Sequence, residues 1–524
     1  MTLPPVLTRI SDYVTWHAER QSNVAALVLG EARMSYRDLA TAVDRLAAAL
    51  LAAGVTKGDR VATLQTPHPD YVVSLLATAS IGAIWVGLNP RYRVEELRYV
   101  MEDAAPTVLI TRTRIGERDY AGDLVRLRAA TSRLRRVVVF DGDPAVPDSE
   151  TMATFLAGGA AVAPAELATA RNACGGRDPC LIVYTSGSTG APKGALLHHD
   201  GVAAFSLAQN AIWPAEPYRV VNYFPINHVG SVVDCTAPCL VAGGTMFMME
   251  QFEPTASLEL MARERITIWG SVPSVFQMQL ALPDFARYDL SSVQLILWEG
   301  AAMPVEMIDR LLRICPRLAT NYGMSETTSG ISVTAPTADR EILANSVGFP
   351  YTGVEVRLVD GDGNEVPVGT PGEVQTRSRY NFLGYWHRPE ATAQAFTADG
   401  FFRTGDLAER RADGRLRIVG RLKEMYKSGG YNVYPREVEI ALETHPAVAL
   451  AAVVATPDPL WQEVGIAYVA THSPVTSEEL QEHCRQRLAN YKVPKRIVIE
   501  QELPLLPIGK IDKRALTLRA GQGL

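Results

Sequence analysis

One stretch constrains this chain more than any other: Tyr184-Thr185-Ser186-Gly187-Ser188-Thr189-Gly190-Ala191-Pro192-Lys193-Gly194. It follows the apolar run Cys180-Leu181-Ile182-Val183, which reads as a buried strand. Glycines let the backbone turn sharply and bring its N–H groups close to a ligand. The hydroxyls add donors and Lys193 adds a point charge, so the loop suits a polyphosphate. A flexible linker is the alternative, but linkers rarely set Pro-Lys-Gly directly after a β-run. The spacing is not that of a Walker A loop, nor of a dinucleotide fingerprint leading into a helix.

The chain around this loop alternates. Residues 33–53 read as an amphipathic helix capped by Ser35, with Leu39, Val43, Leu46, Leu50 and Leu51 near helical spacing. A strand at 60–64, a helix at 70–82, an apolar run at 83–88, a helix at 94–103 and a strand at 107–110 follow. That order implies a largely parallel sheet with helices on its faces. Residues 143–178 are rich in Ala, Gly, Pro and Asp and read as a surface excursion. Beyond the loop come a helix at 201–212 and strands at 266–269 and 293–297. Residues 370–420 read as a small β-rich subdomain. Helices from 437 and over 476–489, with a strand at 449–455, complete the pattern. The expected fold class is α/β: a large N-terminal region of layered βα subdomains plus a small β-rich subdomain, followed by α+β elements.

At 524 residues the chain exceeds one compact core, so two or more domains are expected. A net charge of −6 argues against a surface for nucleic acid. No run of about 18 apolar residues suggests a membrane span, and the N-terminus lacks a secretory pattern, so the cytoplasm is the default expectation. The six cysteines form no Cys-x-x-Cys pair, which disfavours a thiolate metal site.

The eleven-residue loop resembles the phosphate loop of the adenylate-forming superfamily: acyl-CoA synthetases, peptide-synthetase adenylation domains and beetle luciferases. Further stretches carry the same resemblance. Pro225-Ile226-Asn227-His228-Val229-Gly230 resembles an element beside the acyl pocket, implying Asn227 and His228 at the carboxylate, with His228 as gate or wall. Trp298-Glu299-Gly300-Ala301-Ala302 follows a buried strand. Small residues at Gly300, Ala301 and Ala302 let a flat ring lie on the backbone, where the family holds adenine. Glu299 departs from the usual glycine, and Trp298 and Glu299 are expected to shape the acyl pocket. Asn321-Tyr322-Gly323-Met324-Ser325-Glu326 matches the motif in which an aromatic ring stacks on adenine, Ser325 donates to the α-phosphate and Glu326 holds Mg²⁺; Gly323 also borders the acyl site. Thr404-Gly405-Asp406 implies a carboxylate, Asp406, on the ribose hydroxyls.

Gly420-Arg421-Leu422-Lys423-Glu424 resembles the family hinge, with Lys423 as pivot and Arg421 reaching ribose or phosphate. The resemblance implies a division into a large N-terminal adenylation domain, 1–420, a hinge at 421–424 and a mobile α+β C-terminal lid domain, 425–524. Ser428, Gly429 and Gly430 match the loop that lines the pantetheine tunnel once the lid has turned. Pro504-Leu505-Leu506-Pro507-Ile508-Gly509-Lys510 resembles the motif of the catalytic lysine, with Leu506 in place of the usual threonine. The resemblance implies ATP, Mg²⁺ and coenzyme A, with phosphate contacts at Thr185, Ser186, Gly187, Ser188, Thr189, Gly190 and Lys193. The leading expectation is a carboxylate–CoA ligase with Lys510, His228 and Glu326 catalytic. An adenylation enzyme serving a carrier protein or partner ligase is the second. A non-catalytic relative would have lost Lys510, Glu326 or Asp406, and a luciferase-type oxidase would reveal itself by light. Homodimers are common among such enzymes. The acid, whether bulky cyclic, aryl or aliphatic, is not named by the sequence.

Overall fold

The structure is a computed structural model that describes residues 4–140, 146–185, 192–506 and 510–522. Two β-sheets stack with helices between and outside them. The first sheet runs Lys193–His198, Pro179–Thr185, Ile84–Leu88, Arg60–Leu64, Val108–Thr111, Arg136–Val139, Ser149–Thr151. It is parallel except for the hairpin that carries the phosphate loop. The second sheet has a parallel centre, Ala25–Leu29, Thr245–Met248, Arg219–Asn222, Ile268–Ser271, Leu295–Glu299 and Leu318–Tyr322, with short antiparallel edges.

The helices Tyr36–Ala52, Pro69–Ser80 and His199–Ile212 lie between the sheets. Trp85, Val220, Leu295 and Phe205 belong to the shared core there. The first of these helices starts at the expected cap. Ser35 Oγ accepts from Asp38 N–H and Asp38 accepts from Ser35 N–H, a reciprocal capping box. Its Leu39, Val43, Leu46 and Leu50 face inward. A second core, with Trp269, Phe276 and Leu311, lies under the outer helices of the second sheet. A third, with Leu97, Val100 and Leu124, lies outside the first sheet.

The segment expected as a surface excursion is instead structural. Ser149–Thr151 extends the first sheet, the helices Met152–Gly158 and Pro164–Asn172 follow, and Phe155 enters the central core. Sparse apolar residues hid these short elements, because tertiary packing supplies their stability. The β-rich subdomain begins earlier than expected, at Glu355–Val359, and continues through Gly372–Arg377, Phe402–Arg410 and Leu416–Arg421.

After a turn at 422–424 comes the small C-terminal domain, the expected lid, whose sheet is built from Tyr426–Ser428, Tyr431–Val433, Val448–Asp458, Gln462–Thr471 and Arg496–Glu500. Val438, Leu442 and Leu480 bury one of its faces and Leu516 the other. Among the described residues no single helix is long and apolar enough to cross a membrane.

Candidate active site

The second sheet aims its parallel strands at one cleft. Arg219–Asn222 leads to His228, Leu295–Glu299 leads to Gly300, Ala301 and Ala302, and Leu318–Tyr322 leads to Ser325 and Glu326. Carboxyl ends of parallel strands are where open α/β sheets take ligands. Gly300, Ala301 and Ala302 are exposed, so the strip is open to a flat ring. Gly323 is irreplaceable for steric reasons: a Cβ there would stand 1.9 Å from the Ser329 carbonyl oxygen. Met324 packs its side chain on the central core.

At one end of this strip Tyr322 donates its hydroxyl to Asp406 Oδ2 at 2.9 Å, and Arg421 Nε meets Asp406 Oδ1 at 3.0 Å. Asp406 is 6% exposed, and burial pushes its carboxyl up while Arg421 and Tyr322 oppose that shift. The Asp406 N–H donates to Thr404 Oγ1 at 3.0 Å, which sets the turn. The three expected nucleoside residues therefore form one connected group.

Of the phosphate loop, Ser186, Gly187, Ser188, Thr189 and Gly190 lie outside the described residues. Its two ends are held. Tyr184 donates to Asp103 Oδ2 at 2.7 Å, and Tyr99 donates to the Pro192 carbonyl at 2.8 Å. Thr185 donates to the Lys193 carbonyl at 3.4 Å across the hairpin. Lys193 Nζ lies 5.1 Å above the ring of Tyr385. The Tyr385 hydroxyl in turn donates to Glu326 Oε1 at 2.9 Å. Tyr385 thus joins the loop lysine to the acidic turn Ser325–Thr327. It sits in Asn381-Phe382-Leu383-Gly384-Tyr385-Trp386, a stretch whose aromatic content was visible in the sequence without a role.

Glu326 is 9% exposed, and burial pushes its carboxyl up. Among the described residues no cluster of three ligating side chains occurs. A single buried carboxylate, oriented by Tyr385, fits a Mg²⁺ that draws most of its ligands from phosphate oxygens and water.

His228 caps the helix that starts at Val229, its Nδ1 accepting from Gly230 N–H at 3.1 Å. Burial, then the charge of Lys510, pushes its pKa down to about 4. The ring is therefore neutral, with its hydrogen on Nε2, free to donate. Asn227 donates to the Tyr92 hydroxyl at 3.2 Å.

Lys510 comes from the lid and reaches this cleft. A Cβ on Gly300 would stand 2.9 Å from Lys510 Cε. Burial and Arg421 lower its pKa, while Asp406 and Glu299 act against that. Lid and N-terminal domain thus meet with the lysine over the small-residue strip. In the same arrangement Gly429 and Gly430 form the two-residue turn of the lid hairpin Tyr426–Ser428/Tyr431–Val433. Both have positive φ, as such turns demand. They are exposed, whereas Ser428 is 1% exposed, its hydroxyl buried inside the lid. Lys423 lies in the exposed turn between the domains.

The acyl wall departs from expectation at Trp298. Its strand extends to Glu299, two residues further than the sequence suggested, and alternation puts neighbours on opposite faces. Trp298 is 1% exposed in the core with Trp269 and Phe276, behind the sheet. Glu299 points to the cleft face. There its Oε1 accepts from Asn321 Nδ2 at 3.2 Å, and its carboxyl hydrogen-bonds Asp234. Asp234 also accepts from Ser329 at 2.6 Å. Sequence reading missed Asp234. Its one signal was its place six residues after His228.

The chain resembles known proteins along nearly its whole length. Residues 14–386 match the model of the AMP-binding enzyme family and residues 437–510 that of the AMP-binding enzyme C-terminal domain. A feruloyl-CoA synthase of Amycolatopsis sp is 36% identical over 96% of this chain and 97% of its own. The indoleacetate–CoA ligase of Aromatoleum aromaticum is 33% identical over 96% of each chain. The crystal structure of ATP-bound MatB from Rhodopseudomonas palustris superposes with a TM-score of 0.85 at 26% identity, covering 97% of this chain and 98% of that one. A match of both domains and of relatives along nearly the whole length leaves one assignment: the chain belongs to the AMP-binding, adenylate-forming enzyme family as an acyl-CoA synthetase.

Proposed function

We propose that this enzyme joins an aromatic carboxylic acid to coenzyme A in two steps within one cleft. In the first, a carboxylate oxygen attacks the α-phosphorus of ATP, the bond to the bridging oxygen of the β-phosphate breaks, and pyrophosphate leaves. In the second, the sulfur of coenzyme A attacks the acyl carbon, its proton is given up, and the bond to AMP breaks. The relatives' names, feruloyl-CoA synthase and indoleacetate–CoA ligase, support an aromatic acid.

Two anions must meet in the first step, so the work is charge neutralisation and positioning. Asp406 accepts the ribose hydroxyls and Tyr322 stacks on adenine along the strip at Gly300, Ala301 and Ala302. Ser325 donates to the α-phosphate, and Thr185 and Lys193, with the loop between them, hold the departing pyrophosphate. Neutral His228 donates from Nε2 to the carboxylate and orients it. Lys510 neutralises charge at the reacting phosphate. Mg²⁺, held on Glu326, supplies further neutralisation of phosphate oxygens when bound. For the second step the lid turns about Lys423, withdraws Lys510 and brings in the hairpin at Ser428, Gly429 and Gly430 to line the thiol's path. Such a movement separates two chemistries in one site.

The observation that carries this reading is the lid lysine, Lys510, lying over Gly300 beside Asp406 and Arg421. The test is Lys510→Ala. Pyrophosphate release should fall about 10²–10³-fold or more, while thioester formation from pre-made acyl-AMP persists. Equal loss of both steps would remove Lys510 from its role. Acyl-AMP that accumulates in the wild type despite coenzyme A would instead support an adenylation enzyme that passes its product to a carrier protein or partner ligase.

A further inference from the structure

The acyl side of the cleft holds a pair of carboxyls that the reaction does not use. Asp234 projects from the π-helical turn Val232–Thr236, and Glu299 ends the strand Leu295–Glu299. Their carboxyls hydrogen-bond each other, which requires a proton between them. Around them, Ser329 donates to Asp234 and Asn321 donates to Glu299. Asn321 is 5% exposed, and its Nδ2 is fully engaged by Glu299 Oε1 and the Ser329 carbonyl. That fixes its amide orientation and leaves Oδ1, a buried acceptor, without a donor among the described residues.

A buried acceptor without a donor costs free energy, and a buried carboxyl pair costs more unless it is paired and bonded. Apolar residues of similar size at 234 and 299 would stabilise this wall better. Asp234 and Glu299 are both partly exposed residues. They lie next to the open strip at Gly300 and on the helix that His228 begins. Positions whose local chemistry opposes stability are where binding function is found.

Resting on the ligase reading above, we propose that Asp234, Glu299 and Asn321 form a polar subsite of the acyl pocket that selects acids carrying a hydrogen-bond-donating group, an amine or a hydroxyl, remote from the carboxylate. The donor is received by the Glu299 carboxylate and Asn321 Oδ1, while Asp234, carrying the shared proton, holds Glu299 in place. An amine brings a charge opposite to that of Glu299, whereas a hydroxyl brings only its dipole, so the two sources differ in their dependence on that charge.

The experiment uses pairs of aromatic acids that differ in one substituent, aminomethyl against ethyl and hydroxyl against fluoro. Pyrophosphate release is measured as kcat/KM, and binding of the same acids is measured by isothermal titration. Wild type, Glu299→Gln and Asp234→Asn are compared. The wild type should favour the donor-bearing member by roughly ten- to a hundredfold in at least one series. Glu299→Gln should cut that preference to within about threefold, more steeply for the amine than for the hydroxyl if charge dominates. Asp234→Asn should lower the preference less, because it acts through Glu299. Equal or better use of the ethyl and fluoro acids by the wild type overturns the proposal, and this arm needs no variant to fold. An undiminished donor preference in both variants overturns it as well. If no acid releases pyrophosphate, the ligase reading fails, and the titrations still decide whether the subsite prefers donors.

Discussion

Glu299 shows how one side chain carries opposite demands. Burial pushes its carboxyl up to about 7 from an ordinary 4.5, against the hydrogen bonds from Asp234 and Asn321 and the charge of Lys510. The folded state therefore holds more protons than the unfolded chain between those values. Stability should fall as pH rises from about 4.5 to about 7, on the order of 3 kcal/mol for this group. Glu299→Gln removes the titration. Its denaturant midpoint should vary less with pH across that window than the wild type's, and the variant should be the more stable protein at the alkaline end. Parallel pH profiles would show that Glu299 does not titrate with folding. His228 works the other way: with its pKa pushed down to about 4, it stays neutral over the same window and keeps its Nε2 hydrogen for a ligand.

The strand Leu295–Glu299 decides which residue faces the cleft. From sequence, Trp298 and Glu299 stood together as two residues expected to shape the acyl pocket. Period-two alternation separates them, and the register Trp298↔Thr320, Glu299↔Asn321 sends one to the core and the other to the cleft. The expected strand stopped at 297, because an aromatic and an acidic residue in succession resemble the start of a loop. Trp298→Ala should then cost about 3–5 kcal/mol in global stability, seen as a lower unfolding midpoint. The ranking of acids in a turnover panel should stay as in the wild type, and a changed ranking would return Trp298 to the pocket. The helices Met152–Gly158 and Pro164–Asn172 teach a related lesson. Each is too short to be stable alone, and a single buried Phe155 secures the first to a core that local reading does not reveal.

Across the whole molecule the lid is tied to the inter-domain turn as well as to the cleft. Lys513 Nζ meets Glu424 at 2.6 Å and Glu439 at 2.8 Å. Glu424 belongs to the turn at 422–424, and Glu439 is buried inside the lid. The pair of carboxylates holds the Lys513 ammonium above its ordinary pKa despite burial. Lys513→Met takes one cation from buried Glu439, leaving it Arg436 at 3.3 Å, and should destabilise the lid on the order of 1–2 kcal/mol. The expected readout is faster limited proteolysis within 425–522 than in the wild type. Unchanged cleavage rates would show the contact to be dispensable.

Much of the candidate site was legible in the sequence because its chemistry is local. Tyr322, Ser325, Glu326, Asp406, Arg421 and Lys510 sit in short stretches where turn residues and functional groups are adjacent in the chain. The alternation of strands and helices, read from periodicity, also determined the layered α/β class. Other features depend on residues far apart in sequence. Tyr385 bridges Lys193 and Glu326, Tyr184 and Arg388 share Asp103, and Asp234 meets Glu299. No periodicity or spacing encodes those meetings, since each is set by how two sheets and a lid pack together. Sequence by itself determined which groups are available to bind and activate a carboxylate. Tertiary structure alone decided which carboxyls face the cleft and which aromatic ring is core, because burial and strand register, rather than residue type, set a side chain's surroundings.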